Sequence, residues 1–137
     1  MSASIPDRAT AVPVLALGQT LLVSLQGELY DTLAEQLQHD ITRRVADSDV
    51  TGVIIDISGV EIVDSYLGRV LAEIAAGARL MAARTVLAGM RPAVAITLVE
   101  LGLTLPGLIT ALDVERALEL LARPPAPNGA RLSDRAT

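Results

Sequence analysis

Short apolar runs alternate along this chain with stretches in which apolar residues recur every three or four positions, the pattern of strands alternating with amphipathic helices. Val14-Leu15-Ala16-Leu17 and Leu21-Leu22-Val23-Ser24-Leu25 are strand-like runs separated by Gly18-Gln19-Thr20, which predicts a hairpin. Behind it Leu33, Leu37, Ile41 and Val45 keep helical spacing, and Thr32 with Glu35 three residues on resembles a capping box that starts the helix. Gly52-Val53-Ile54-Ile55-Asp56-Ile57 is β-branched and almost wholly apolar, as in a strand covered on both faces, and is read as the central strand.

After a break at Ser58-Gly59, the segment Val60-Glu61-Ile62-Val63 leads to Asp64-Ser65. Leu67, Val70, Leu71, Ile74, Ala78 and Met81 then mark one face of a second helix. Thr85-Val86-Leu87-Ala88 is the next strand, Pro92 suits a first helical turn, and Gly102 closes the helix begun there. Leu108 to Leu112 forms a weaker strand, and Asp113 caps a last helix whose inward face is Val114, Ala117, Leu118 and Leu121. The alternation predicts a single α/β domain: a mixed sheet, antiparallel in its leading hairpin, with helices packed on it. Residues 1–11 and the Pro-rich 122–137 lack large apolar residues in any period, so the domain is placed at residues 12–121 with flexible ends.

Composition narrows what such a domain does. The 137 residues suit one domain, against roughly 100–200 residues for a typical one. They are 51% hydrophobic but only 1% aromatic, so the core is aliphatic. The chain therefore lacks the stacking platforms of single-strand nucleic-acid modules, and its net charge of −5 opposes a phosphate backbone. No cysteine and one histidine exclude a structural zinc site, and no metal or other cofactor is expected. Pro13, Gly18, Gln19, Ser24 and Gln26 interrupt the uncharged stretch from Ala9 to Gly27, which reads as part of a cytoplasmic protein without a membrane segment.

Few residues carry chemistry. His39 falls mid-helix beside Gln38 and Asp40, away from any serine, and reads as solvated. Gly59, Gly68 and Gly77 do not make a phosphate-cradling loop and are read as positions of close packing. Asp56, Glu61 and Asp64 cluster around the end of the central strand, where a magnesium or general-acid role is weighed against simple caps and solvated loop acids, the commoner use of such positions. Asp64-Ser65 stands out. Ser65 at a helix start lies near free N–H groups that favour an added phosphate, although either residue also makes an ordinary N-cap.

The run Val53-Ile54-Ile55-Asp56-Ile57-Ser58-Gly59-Val60-Glu61-Ile62-Val63-Asp64-Ser65-Tyr66 resembles the signature of STAS domains, the fold of anti-sigma-factor antagonists. Arg91 to Gly102 is similar to the equivalent helix of RsbS-type proteins, small single-domain subunits of the bacterial stressosome, and Leu22 to Leu29 extends the likeness to about Pro13–Leu121. Asp64-Ser65-Tyr66-Leu67 stands where many single-domain antagonists carry Asp-Ser-Ser-Gly, which favours the stressosome branch.

The resemblance implies that Ser65 is phosphorylated by an RsbT-type serine kinase. It also implies co-assembly with RsbR-type scaffold proteins, with the kinase held until phosphorylation releases it and a phosphatase resetting the serine. Asp64, Glu61, Tyr66 and Tyr30 are the candidate partner-binding residues around it, the two tyrosines being either interface anchors or ordinary half-buried side chains. The chain is then a non-catalytic scaffold and negative regulator. The alternative is a free antagonist that binds an anti-sigma kinase and liberates a sigma factor; an enzyme built on the strand-end acids ranks last. Aliphatic residues outside the strand and helix interiors, as in Leu101 to Leu112, are expected to serve self-association and neighbouring subunits.

Overall fold

The computed structural model describes residues 12–27, 31–103, 105 and 107–123, with residues 31–33 described by their backbone only. The expectations attached to Tyr30, to the side chain of Leu33, and to the segments 1–11 and 124–137 lie outside the described residues. Among the described residues the chain runs β1 (Val14–Leu17), β2 (Thr20–Gln26), α1 (Asp31–Asp47), β3 (Gly52–Gly59), α2 (Ser65–Leu80), β4 (Arg84–Ala88), α3 (Pro92–Glu100), β5 (Leu108–Ala111) and α4 (Val114–Ala122).

The strands form one five-stranded sheet in chain order, antiparallel between β1 and β2 and parallel thereafter. The hairpin is tight because Gly18 adopts φ +61, and Leu17 pairs directly with Thr20. β3 is central, and its alternation explains its almost continuous apolarity. Val53, Ile55 and Ile57 belong to the large core with α1, α2 and α3, while Ile54 belongs to a smaller cluster with Val86, Ala88 and Ala117 under α4.

Helix α1 turns Ala34, Leu37, Ile41 and Val45 inward, and α2 turns Leu67, Val70, Leu71, Ile74 and Ala78 inward, the periodicity of the chain made physical. Three details depart from expectation. Thr32 lies inside α1, which has already begun at Asp31, so it is not the cap. Leu118 is on the outer flank of α4, 37% exposed, and Leu120 packs against the small cluster with Val114 and Leu121, because the helix crosses the sheet over β3–β5. Leu112 is 77% exposed beyond the end of β5 rather than part of it.

Two arginines tie the ends of elements together. The Arg84 guanidinium donates to the carbonyls of Leu121 and Arg123 at 3.0 and 2.8 Å, closing the C-terminus of α4 with a cation. Arg91 Nε donates to the Ser58 carbonyl at 2.9 Å, which anchors the end of β3 to the start of α3. The loops following the parallel strands therefore converge at one end of the sheet, where an α/β fold ordinarily places its functional groups.

Candidate functional site around Ser65

The site begins with the exit from β3. Asp56, half-buried, accepts the Ser58 amide at 3.0 Å and so turns the chain out of the sheet. Gly89 at the end of β4 sits against that turn with φ +75, where a Cβ would come within 3.0 Å of the Ser58 Cβ and 3.1 Å of an Asp56 oxygen. Val60 and Val63 are buried and pin the connecting segment, while Ile62 between them is 76% exposed. The segment consequently presents Glu61 and Ile62 to solvent and delivers Asp64 to the helix start.

Asp64 has extended backbone angles, φ −122 and ψ 178, and its carboxylate accepts the Leu67 amide at 2.9 Å. It is the N-cap of α2, and Ser65 is the first helical residue, exposed and free of the capping task. The choice between the two residues as cap is thus decided by geometry. The Asp64 carboxylate already sits at the positive end of α2, and the first turn beyond it contains no further acidic side chain.

One flank of this turn is a groove of about 330 Å³ lined by Ser65, Gly68, Arg69, Ala72, Leu103 and Leu105. The groove exists because Gly68 has no side chain: a Cβ there would lie 2.5 Å from Leu103 Cδ1, so the chain following α3 packs directly on the helix. Close packing was also expected of Gly59 and Gly77. At Gly59 a Cβ would meet the Leu25 carbonyl at 3.2 Å and the Gln26 side chain at 3.0 Å; at Gly77 it would meet only Thr42 Oγ1 at 3.8 Å, an ordinary contact, so that glycine is not required for packing. The Arg69 guanidinium stands over the Tyr66 ring, 5.6 Å from its centre, with Tyr66 itself half-buried.

The other candidates disperse. Glu61 lines a different depression, of about 300 Å³, with Gly27, Gly59 and Ile62. His39 is exposed on α1 in a hollow with Glu35, Gln36, Asp40 and Arg43, none of which shares the groove of Ser65. Among the described residues no three His, Asp or Glu side chains come together as metal ligands, and the carboxylates of Asp56 and Asp64 are each engaged by a backbone amide. Arg69 and the protruding Ile62 were not singled out from the sequence. The i, i+4 spacing of Ser65 and Arg69 was the signal for the first; among the apolar residues of Val60-Glu61-Ile62-Val63 nothing marks which one points outward.

A wider apolar surface lies on α3, where Val94 and Leu98 are buried but Ile96 and Val99 are 58% and 77% exposed. Of the aliphatic stretch from Leu101 to Leu112, Leu101 and Leu112 are exposed and Leu103, Leu105 and Leu108 pack against the core. No helix among the described residues is long and apolar enough to cross a membrane.

Comparison with known proteins places this geometry in context. Residues 11–116 match the STAS domain family. The chain is similar to a serine-to-glutamate variant of RsbS from Moorella thermoacetica, with 38% identity and a TM-score of 0.73 over 88% of this chain and 97% of that one. It is equally similar in sequence, at 38% identity and a TM-score of 0.71 over 80% of this chain and 96% of the other, to a chain in the solved architecture of the stressosome, described as a signal integration and transduction hub. The RsbT co-antagonist protein RsbRC of Bacillus subtilis is 30% identical over 72% of this chain, and the chain spans only about a third, 35%, of that relative's length.

Proposed function

This chain belongs to the STAS domain family, and from that premise we propose that it is a non-catalytic stressosome subunit of the RsbS type, switched by phosphorylation of Ser65. In its unmodified form it co-assembles with RsbR-type proteins, associates with further copies of itself, and holds an RsbT-type serine kinase in the cytoplasm. The kinase transfers the γ-phosphoryl group of ATP to Ser65: the Oγ–phosphorus bond forms, the bond to the bridging oxygen of ADP breaks, and the hydroxyl proton passes to the kinase. The modified subunit releases the kinase, and a phosphatase hydrolyses the phosphoserine to restore the first state.

The observation that carries this reading is the division of labour between Asp64 and Ser65. Since the Asp64 carboxylate takes the capping hydrogen bond, the Ser65 hydroxyl is exposed and its modification costs the fold nothing. Phosphorylation adds about −1.5 to −2 charge beside the exposed Asp64 and Glu61, so a partner docked across Ser65, Ile62 and Tyr66 meets repulsion while the fold persists. A loss of about 1.4 kcal/mol is a tenfold loss of affinity, within reach of one phosphate at an interface. The exposed apolar face of α3 is suited to subunit contacts, being larger in aliphatic content than a solvated helix needs.

The test is incubation of the purified chain with an RsbT-type kinase, ATP and magnesium. A single phosphate on Ser65, absent from Ser65→Ala, is the expected result, with kinase retained by Ser65→Ala and released by Ser65→Glu. Equal labelling of Ser65→Ala refutes the phosphoacceptor assignment. Mixing with an RsbR-type protein is expected to give a particle far larger than a dimer; an unchanged elution profile would instead favour a free antagonist.

A further inference from the structure

Ser65 and Arg69 stand four residues apart on α2, the spacing at which helical side chains meet, and both line the groove closed by Leu103 and Leu105. Long side chains on a helix lean toward its N-terminus, so Arg69 reaches back over the first turn, where its guanidinium rests on Tyr66. Among the described residues the ion pairs join Asp40 to Arg43 and Arg44, and Asp113 to Arg116; Arg69 has no carboxylate partner. An exposed arginine without an acidic partner lies about one helical turn from the proposed phosphoacceptor, whose neighbouring acid, Asp64, is engaged by the Leu67 amide.

We infer that Arg69 is the internal partner of phosphorylated Ser65: its guanidinium leaves the face of Tyr66 and pairs with the phosphate. The inference rests on the phosphoacceptor reading of Ser65 and adds the regulation of that site. Charge-assisted hydrogen bonds are roughly twice as strong as neutral ones, and the planar guanidinium can engage two phosphate oxygens at once, which an aromatic face cannot match at an exposed position. One modification then changes the surface twice. It places a phosphate at the helix start, and it withdraws from Tyr66 the cation that covers its ring.

The pairing is tested without the kinase by installing phosphoserine at position 65 during translation and titrating the folded full chain by phosphorus NMR. The second ionisation of the phosphate, near pH 6 for free phosphoserine, is expected to lie lower in the parent than in Arg69→Gln by about half a unit, a roughly threefold change in proton affinity. The Tyr66 ring resonances are expected to shift on phosphorylation in the parent and to stay in place in Arg69→Gln. Coincident titration curves for the two chains would overturn the inference. Because no kinase enters this measurement, a failed kinase assay with a depressed phosphate ionisation would reject the function proposed for Ser65 and keep the pairing, and the opposite pair of results would do the reverse.

Discussion

The Asp64 carboxylate accepts the Leu67 amide at 2.9 Å, and by doing so it caps the helix that Ser65 begins. Replacing Asp64 with alanine is expected to lower folding stability by about 1 kcal/mol, whereas Asp64→Asn, which retains a cap acceptor, stays within a few tenths. Urea denaturation of the two variants separates the cap from the charge. If Asp64→Asn also weakens kinase binding while leaving stability intact, the carboxylate acts at the interface in addition to holding the helix.

Two left-handed backbone positions call for opposite substitutions. Ala82, with φ +64, follows the C-cap of α2, where the Ala82 and Ala83 amides donate to the Arg79 and Ala78 carbonyls in the pattern that glycine normally completes. Ala82→Gly is expected to raise stability by about 1 kcal/mol by removing the left-handed penalty. Gly89→Ala is expected to cost about 2 kcal/mol, since it adds that penalty and crowds the Asp56–Ser58 turn. Thermal melts showing both changes with the same sign would contradict this account.

Thr85 is 1% exposed, and its hydroxyl has no hydrogen-bond partner among the described residues. Thr85→Val keeps the shape and removes the stranded polar group, so a gain of up to about 1 kcal/mol is expected by chemical denaturation. A clear loss would mean that the hydroxyl has a partner in solution.

On α3 the exposed Ile96 and Val99 offer a test of assembly that spares the fold. The double substitution Ile96→Glu and Val99→Glu is expected to change folding stability by no more than about 0.5 kcal/mol, the usual range for exposed positions. Sedimentation with an RsbR-type partner should nevertheless show the large particle weakened or lost. Undiminished assembly would move the subunit contacts elsewhere on the surface.

The alternation of period-two and helical segments was legible from the residues because burial imposes it directly. β2 alternates buried and half-buried residues at the strand period, and the inward faces of α1 and α2 from Leu37 to Ile74 repeat at the helical one. The unbroken apolarity of Gly52 to Ile57 likewise announced a strand covered on both sides, and Asp64-Ser65 was visible as the start of a helix. The residues alone left Asp64 and Ser65 both open as the cap, gave no reading of which residue from Val60 to Val63 protrudes, and pointed to Leu118 as inward where Leu120 packs instead.

Only the packed chain decided these, because each depends on where a second element lies. Leu118 faces out since α4 crosses β3 to β5 at one angle and not another, and Gly68 matters since Leu103 happens to cross it. That Ser65 and Arg69 line one groove required both facts together: the helical spacing written in the chain, and Leu103 and Leu105 after α3, which wall the groove on its far side. Local periodicity is a property of short stretches and survives in the sequence; the choice among adjacent side chains is made by contacts between stretches, and it exists only when they meet.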